Sequence, residues 1–204
     1  MDISKYGVPF FVVVGVVALL VASPVLSRVL VFPQTETFTE LWVLGSNQTA
    51  ESYPFNLSSG GSYGISLGLG NHLGYCAYYL VEVKFRNESQ SAPTSLGPVE
   101  DRLPSSLPSL YNVTAFVADS SVWQLPVSFG FDYGYNDSLL RVDFHSLTFN
   151  GNVLSLEGES TTWNASTSRF YGDLIFELWL YSSAIHDFVY HERFVDLKLN
   201  MTST

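Results

Sequence analysis

Apolar and polar positions along the chain follow two regimes. From Gly7 to Val31 the sequence is GVPFFVVVGVVALLVASPVLSRVLV, apolar almost throughout, with Arg28 as its single charge. At about 1.5 Å rise per residue, such a run crosses a hydrocarbon core of about 30 Å as an α-helix. From Pro33 onward the period falls to two, the signature of half-buried strands. Phe38, Glu40, Trp42 and Leu44 alternate with Thr39, Leu41 and Val43, and Gly45-Ser46-Asn47 closes this first strand. Tyr63, Ile65, Leu67 and Leu69 then alternate with Gly64, Ser66, Gly68 and Gly70. A third strand over Ala77 to Phe85 places Tyr79, Val81, Val83 and Phe85 on one face.

Asn87 to Ser109 is rich in Ser and Pro and predicts a long loop. Beyond it come a short strand, Val113 to Ala118, and an alternating strand from Trp123 to Phe131 that contains Pro126, a residue expected at a sheet edge. The stretch DYGYND predicts a turn into Leu139 to Phe149, and Asn150-Gly151 predicts a tight hairpin into Val153 to Leu156. Thr161 to Ser168 reads as a further loop, and Leu174 to Tyr181 with Val189 to Leu199 as a long closing hairpin. The expected architecture is an all-β, antiparallel β-sandwich preceded by one transmembrane α-helix. Its parts are a cytoplasmic head over Met1 to Tyr6, a signal-anchor helix over Gly7 to Val31 and an extracytoplasmic domain over Phe32 to Thr204. Loop insertions are expected near Asn87 to Ser109 and Asn136 to Ser168.

Composition narrows the partners. The formal net charge is −10 with nine Lys plus Arg, which argues against nucleic acid, whose backbone demands basic clusters. Cys76 is the only cysteine, so no intrachain disulfide can form; its place at the start of an apolar run predicts a buried small hydrophobe. Seven of ten asparagines stand in N-x-S/T sequons, namely Asn47, Asn56, Asn87, Asn112, Asn136, Asn164 and Asn200. Chance in a chain this rich in Ser and Thr would give about two. The excess predicts N-linked glycans and a domain outside the cell. Charge bias around the span is small, Lys5 competing with Arg28, so the sequons set the orientation. A cleaved signal with Val25 and Ser27 before Arg28 is the alternative to a retained anchor; a prepilin-like signal at Lys5-Tyr6-Gly7 matches poorly. Within the span Gly15, Ala18 and Ala22 stack small residues on one face, a candidate helix-packing stripe.

The stretches VFPQTETFTELWVLGSN, YPFNLSSGGSYGISLGLGNH, YYLVEVKF, WQLPVSFGF, LIFELWLY and FVDLKLN together resemble an archaeal membrane-protein family known as domain-of-unknown-function family 1616. The resemblance implies an immunoglobulin-like external sandwich at an archaeal cell surface and supplies no catalytic residue, cofactor or substrate. That family typically carries several spans before the external domain, where this chain has one apolar run.

Chemistry-bearing motifs are sparse. His186 and His191 are an odd number apart, so on one strand they would face opposite ways and would not share a metal. Asp132, Asn136 and Asp137 lack a full calcium-ligand pattern, and Glu157 and Glu159 read as a solvated turn. No catalytic, cofactor-binding or metal-binding residue is assigned, and no cofactor is expected. Among the aromatics, Tyr133, Tyr135 and Trp163 fall in expected loops and are the candidate contact residues. The leading expectation is a non-enzymatic, single-pass surface glycoprotein. It would serve as an accessory or structural subunit, with other membrane or surface proteins, N-linked glycans and the lipid bilayer as its partners. A secreted filament or coat subunit assembling by strand addition, and a carbohydrate-binding module, are the alternatives.

Overall fold

A computed structural model describes residues 7–29, 37–94, 98 and 101–202. The chain divides into two units, Met1–Glu36 and Thr37–Thr204. The first contains helix α1, Gly7–Val29, at the position the apolar run predicts. Among the described residues no helix is long and apolar enough to cross a membrane. The side chains at 8, 9, 19 and 22–29 lie outside the described residues, as do the head 1–6 and residues 30–36. Ala22 of the small-residue stripe and the candidate cleavage residues Val25, Ser27 and Arg28 fall in that group.

Among the described residues, the second unit holds eleven strands in two sheets. They are β1 (Phe38–Gly45), β2 (Asn56–Leu57), β3 (Tyr63–His72), β4 (Ala77–Asn87), β5 (Tyr111–Val117), β6 (Ser121–Asn136), β7 (Arg141–Phe149), β8 (Asn152–Ser155), β9 (Ser160–Thr162), β10 (Tyr171–Ser182) and β11 (Asp187–Met201). One sheet runs β1-β3-β6-β7-β8, with β9 also on β7; the other runs β2-β11-β10-β4-β5. All pairings are antiparallel except the two-residue β2 on β11. The chain passes from one sheet to the other at β1–β2, β2–β3, β3–β4, β5–β6 and β9–β10, so this is an all-β sandwich.

The period of two decides which side chains are inside. Ile65, Leu67 and Leu69 of β3, Val127, Phe129 and Phe131 of β6, and Val142, Phe144, Leu147 and Phe149 of β7 form one inner face. Tyr79, Val81, Val83 and Phe85 of β4 and Leu174, Phe176 and Leu178 of β10 form the other. Phe85 meets Phe144 and Phe131 at ring separations of 4.7 and 5.4 Å, joining the two layers. On the outer face of β3, the Trp42 ring lies across Gly68 so closely that no Cβ fits there. The expected Asn150-Gly151 hairpin forms, with φ of 47° and 81°, and pairs Phe149 with Asn152.

Several expectations change. Cys76 is exposed: it ends the β3–β4 turn one residue before the inward-facing Ala77. DYGYND is not a turn but the end of β6, because Tyr133 and Tyr135 continue the alternation of Phe129 and Phe131. Residues 136–168 are not a loop insertion; they hold β7, β8 and β9, and β9 occupies the start of the expected loop Thr161–Ser168. The short strand after the long loop is Tyr111–Val117, two residues earlier than expected at its start.

Pro126 lies in a central strand, yet its edge logic holds locally. β6 pairs with β3 over residues 121–129 but with β7 only from Phe129 onward. Ser128 directs its N–H to Asn150 Oδ1 and its carbonyl to the Asn150 N–H, away from β3. Pro126, two residues earlier, turns its missing donor to the same unpaired side.

Phe176 is fully buried at the sheet interface, 6.4 Å from Phe149. Phe176→Ala is expected to cost about 3–5 kcal/mol, measured as a lower urea midpoint by tryptophan fluorescence.

Candidate functional site

The outer face of the second sheet carries the densest set of charged side chains in the β-domain. Alternation along β4 and β10 turns Lys84, Glu82, Asp173 and Glu177 away from the apolar interior, where they would ordinarily meet water. Instead the chain from 101 to 109 folds back over them. Glu177 is fully buried; Lys84 Nζ donates to it at 2.8 Å and stands 3.0 Å from Glu82. Ser105 donates both its main-chain N–H (2.9 Å) and its hydroxyl to the other Glu177 oxygen. Beside them Arg86 pairs with Asp173 and also donates to the Gln90 carbonyl. A buried carboxylate that accepts from a lysine, a backbone N–H and a hydroxyl is well satisfied, so Glu177 fastens this segment to the sheet. Neighbouring Tyr190 has its hydroxyl pushed up to about 12, by burial first and then by the charges of Glu177 and Glu192.

A second polar chain runs through the interior. His191 Nε2 lies 2.9 Å from Thr39 Oγ1, which is 3.1 Å from the Tyr79 hydroxyl; Tyr79 donates to Asn71 Oδ1 at 3.1 Å. The Asn71 amide nitrogen donates to the carbonyls of Tyr75 and Val117, each at 2.8 Å. His191 reaches Thr39 because β11 is irregular at this point: Trp179 pairs with Tyr190 and Leu178 with Arg193, leaving His191 and Glu192 as extra residues, with Glu192 at φ 55°. An open cavity of about 510 Å³ lies beside His191, lined also by Tyr75, Leu180 and Val189. Burial first, then the Arg193 charge, lowers the His191 pKa from 6.5. Burial likewise raises that of Tyr79. The chain ends at an amide, which takes up no proton, so it links β1, β3, β4, β5 and β11 and does not relay protons.

The sequence-predicted residues are dispersed. Asn47, Asn56 and Asn112 are exposed, whereas Asn87, Asn136 and Asn164 are half-buried. Asn200 is 9% exposed, donates to Asn56 Oδ1 at 2.7 Å and accepts from the Phe170 N–H. Tyr133 lies on β6, not in a loop, and is buried with its hydroxyl on the Leu57 and Thr202 carbonyls. Burial again raises its pKa. Tyr135 and Trp163 both rest edge-on against Phe170, at 5.3 and 4.9 Å, and stay part-exposed. Gly15 and Ala18 are on the described part of α1. Among the described residues no group of three or more His, Cys, Asp or Glu side chains could hold a metal. Asp132 accepts from Ser59, Glu159 from Asn87 and Gln90, and Glu157 is exposed. Sequence reasoning missed the Lys84–Glu177 cluster and the His191 chain. A lysine and a glutamate at apolar-strand positions were the available signal for the first; the second depends on an irregularity that no pattern announces.

No protein-family model matches the chain, and no curated protein matches it. Solved structures with some likeness include a β-glucosidase from Listeria innocua in complex with glucose, at 11% identity and TM-score 0.37, covering 83% of this chain. This chain spans 17% of that enzyme's length. Another is the ASH / PapD-like domain of human CEP192, at 10% identity and TM-score 0.27, covering 86% of this chain and 93% of that one. At these scores neither contributes to the functional argument.

Two outcomes follow for stability. Lys84→Met leaves Glu177 buried without its cation and is expected to cost about 3–5 kcal/mol, most of which Lys84→Met with Glu177→Gln recovers; urea unfolding of the parent and the two variants checks this. For His191, the folded state resists a proton that the unfolded chain accepts below about pH 6.5. Its contribution is therefore complete above that pH and shrinks as pH falls toward the folded-state pKa. The pH 5-to-7 difference in unfolding free energy should be smaller in His191→Gln than in the parent.

Proposed function

We propose that this chain is a non-enzymatic, glycosylated, single-pass cell-surface protein. Its sandwich, immunoglobulin-like in kind, serves as an accessory or structural subunit of a membrane or surface complex through protein–protein contacts. The observation that carries this reading is the surface of α1. From Phe10 to Ala18 every side chain is apolar or a glycine, and all are exposed, Phe11 at 74%. Nine residues at about 100° each cover the whole circumference, and a helix apolar all round needs lipid or protein about it. The seven sequons support an external domain.

A second reading, strand addition between copies, is favoured by β1. Val43 turns its carbonyl away from β3 to accept from the Tyr53 hydroxyl, so Leu41, two residues away, aims its main-chain groups at the same open edge. Filaments that dissociate on Leu41→Pro would support it, and monodisperse parent protein at high concentration would refute it.

Two measurements on native membranes test the first reading. The chain should resist alkaline carbonate extraction, and cross-linking should give a defined stoichiometric partner; a lone monomer after both treatments would sink the subunit role. Glycopeptide mapping should find sugar at the exposed Asn47 and Asn112 and none at buried Asn200.

A further inference from the structure

The two ends of the β-domain differ in a way the proposed function does not itself require. One end collects the start of β1, the β3–β4 turn, the end of β5 and the β10–β11 turn, as the pairings Phe38 with His72, Ala77 with Val117 and Ser182 with Asp187 establish. On its outer face Tyr78 stacks on Phe116 at 4.1 Å and 9°. Phe188 lies 5.1 Å from Tyr78 and 5.5 Å from Tyr181, so four rings form one continuous surface. Phe116 is 72% exposed, and Ile185 at the tip of the β10–β11 turn is 61% exposed. Aromatic rings gathered at a surface are costly in water, and they suit the zone where hydrocarbon gives way to headgroups, since Phe116 and Phe188 are wholly apolar while Tyr78 and Tyr181 each add a hydroxyl that can stay wet.

None of the sequons lies at this end. Asn47 follows the far end of β1, Asn56, Asn87, Asn136 and Asn200 lie at or near the far ends of their strands, Asn164 follows β9, and Asn112 is the second residue of β5, at mid-height on the sheet. The apolar end is also the one where the chain arrives from α1.

We propose that this aromatic end is a bilayer-docking surface whose occupant is the headgroup zone of the membrane that holds α1. The proposal rests on the membrane-anchored reading above. Asp119 and Asp187, both exposed at this end, direct it to zwitterionic rather than anionic headgroups, since anionic lipid would repel them. Docking would hold the sandwich upright on the surface with its sequons turned outward.

The full chain carries its own probe site, because Cys76 is its only cysteine and is exposed in the β3–β4 turn of this end. With the chain in phosphatidylcholine nanodiscs, headgroup-spin-labelled lipid should quench a small fluorophore on Cys76. Quenching should be several-fold weaker for the same fluorophore at Asn47→Cys in a Cys76→Ser background. Phe116→Asp with Ile185→Asp, both at exposed positions, should abolish the difference while leaving the far-ultraviolet circular dichroism and the cooperativity of urea unfolding unchanged. Equal quenching at the two sites, or none at Cys76 while the chain stays in the discs, overturns docking and leaves anchoring intact. A chain that does not enter the discs overturns both. Energy transfer between labelled copies in place of lipid quenching would assign the face to a second copy and overturn the proposal.

Discussion

The sandwich is organised around a contact between its layers, the packing of the Phe85 ring of β4 against Phe131 of β6 and Phe144 of β7, which also touch each other. With a single cysteine, no intrachain disulfide can join the sheets, so burial and ring packing hold them together with the polar chain from His191 to Asn71. Room for Phe85 comes from Gly172 on the adjacent β10, where an added Cβ would come within 2.8 Å of the Phe85 ring. The alternation of β4 then follows: once Phe85 faces inward, Tyr79, Val81 and Val83 must do so too, and Lys84 must face out.

That outward lysine explains a feature a core argument alone does not. Lys84 and Glu177 are buried although they point away from the interior, because the segment 101–109 lies over them, with Ser105 in contact with both. Desolvating the pair is offset only while every polar atom is met, which Ser105 and Glu82 accomplish. The charges therefore specify where the segment rests, while the apolar layers supply the stability. Toward the β10–β11 turn the same face carries the touching rings of Tyr78, Phe116, Tyr181 and Phe188.

Much of this was legible in the sequence wherever alternation was uninterrupted. Tyr63 to Leu69, Ala77 to Phe85 and the closing hairpin stand where period two puts them, and Asn150-Gly151 makes its turn because both residues tolerate positive φ. The failures have local causes. DYGYND is composed of turn-forming residues, yet Tyr133 and Tyr135 keep the period, and side-chain burial outweighs turn propensity when a neighbouring strand is there to pair with. β9, only three residues long, gains its conformation from β7 and not from its own sequence, Ser-Thr-Thr. Cys76 was misplaced by one residue, enough to exchange the interior for solvent. Of the candidate contact residues, Tyr135 and Trp163 do come together, but on the buried Phe170, a residue that no linear pattern links to either.

The sheet edges bear on which kind of assembly the fold permits. An open strand edge invites another chain, and folds blunt their edges by shortening, charging or covering them. Here β2 is two residues long and carries the Asn56 sequon, β5 carries Asn112 with its side chain outward, and β8 is four residues long. β1 is longer, at eight residues, and has no sequon within it. Part of its outer edge is nevertheless engaged, since Val43 is met by Tyr53 and Gly45 donates to Thr49. What is left open is the short stretch around Thr39 and Leu41, immediately after the chain enters the domain. Strand addition at β1 is thereby confined to a few residues, too short a run to pair with a long strand of another chain.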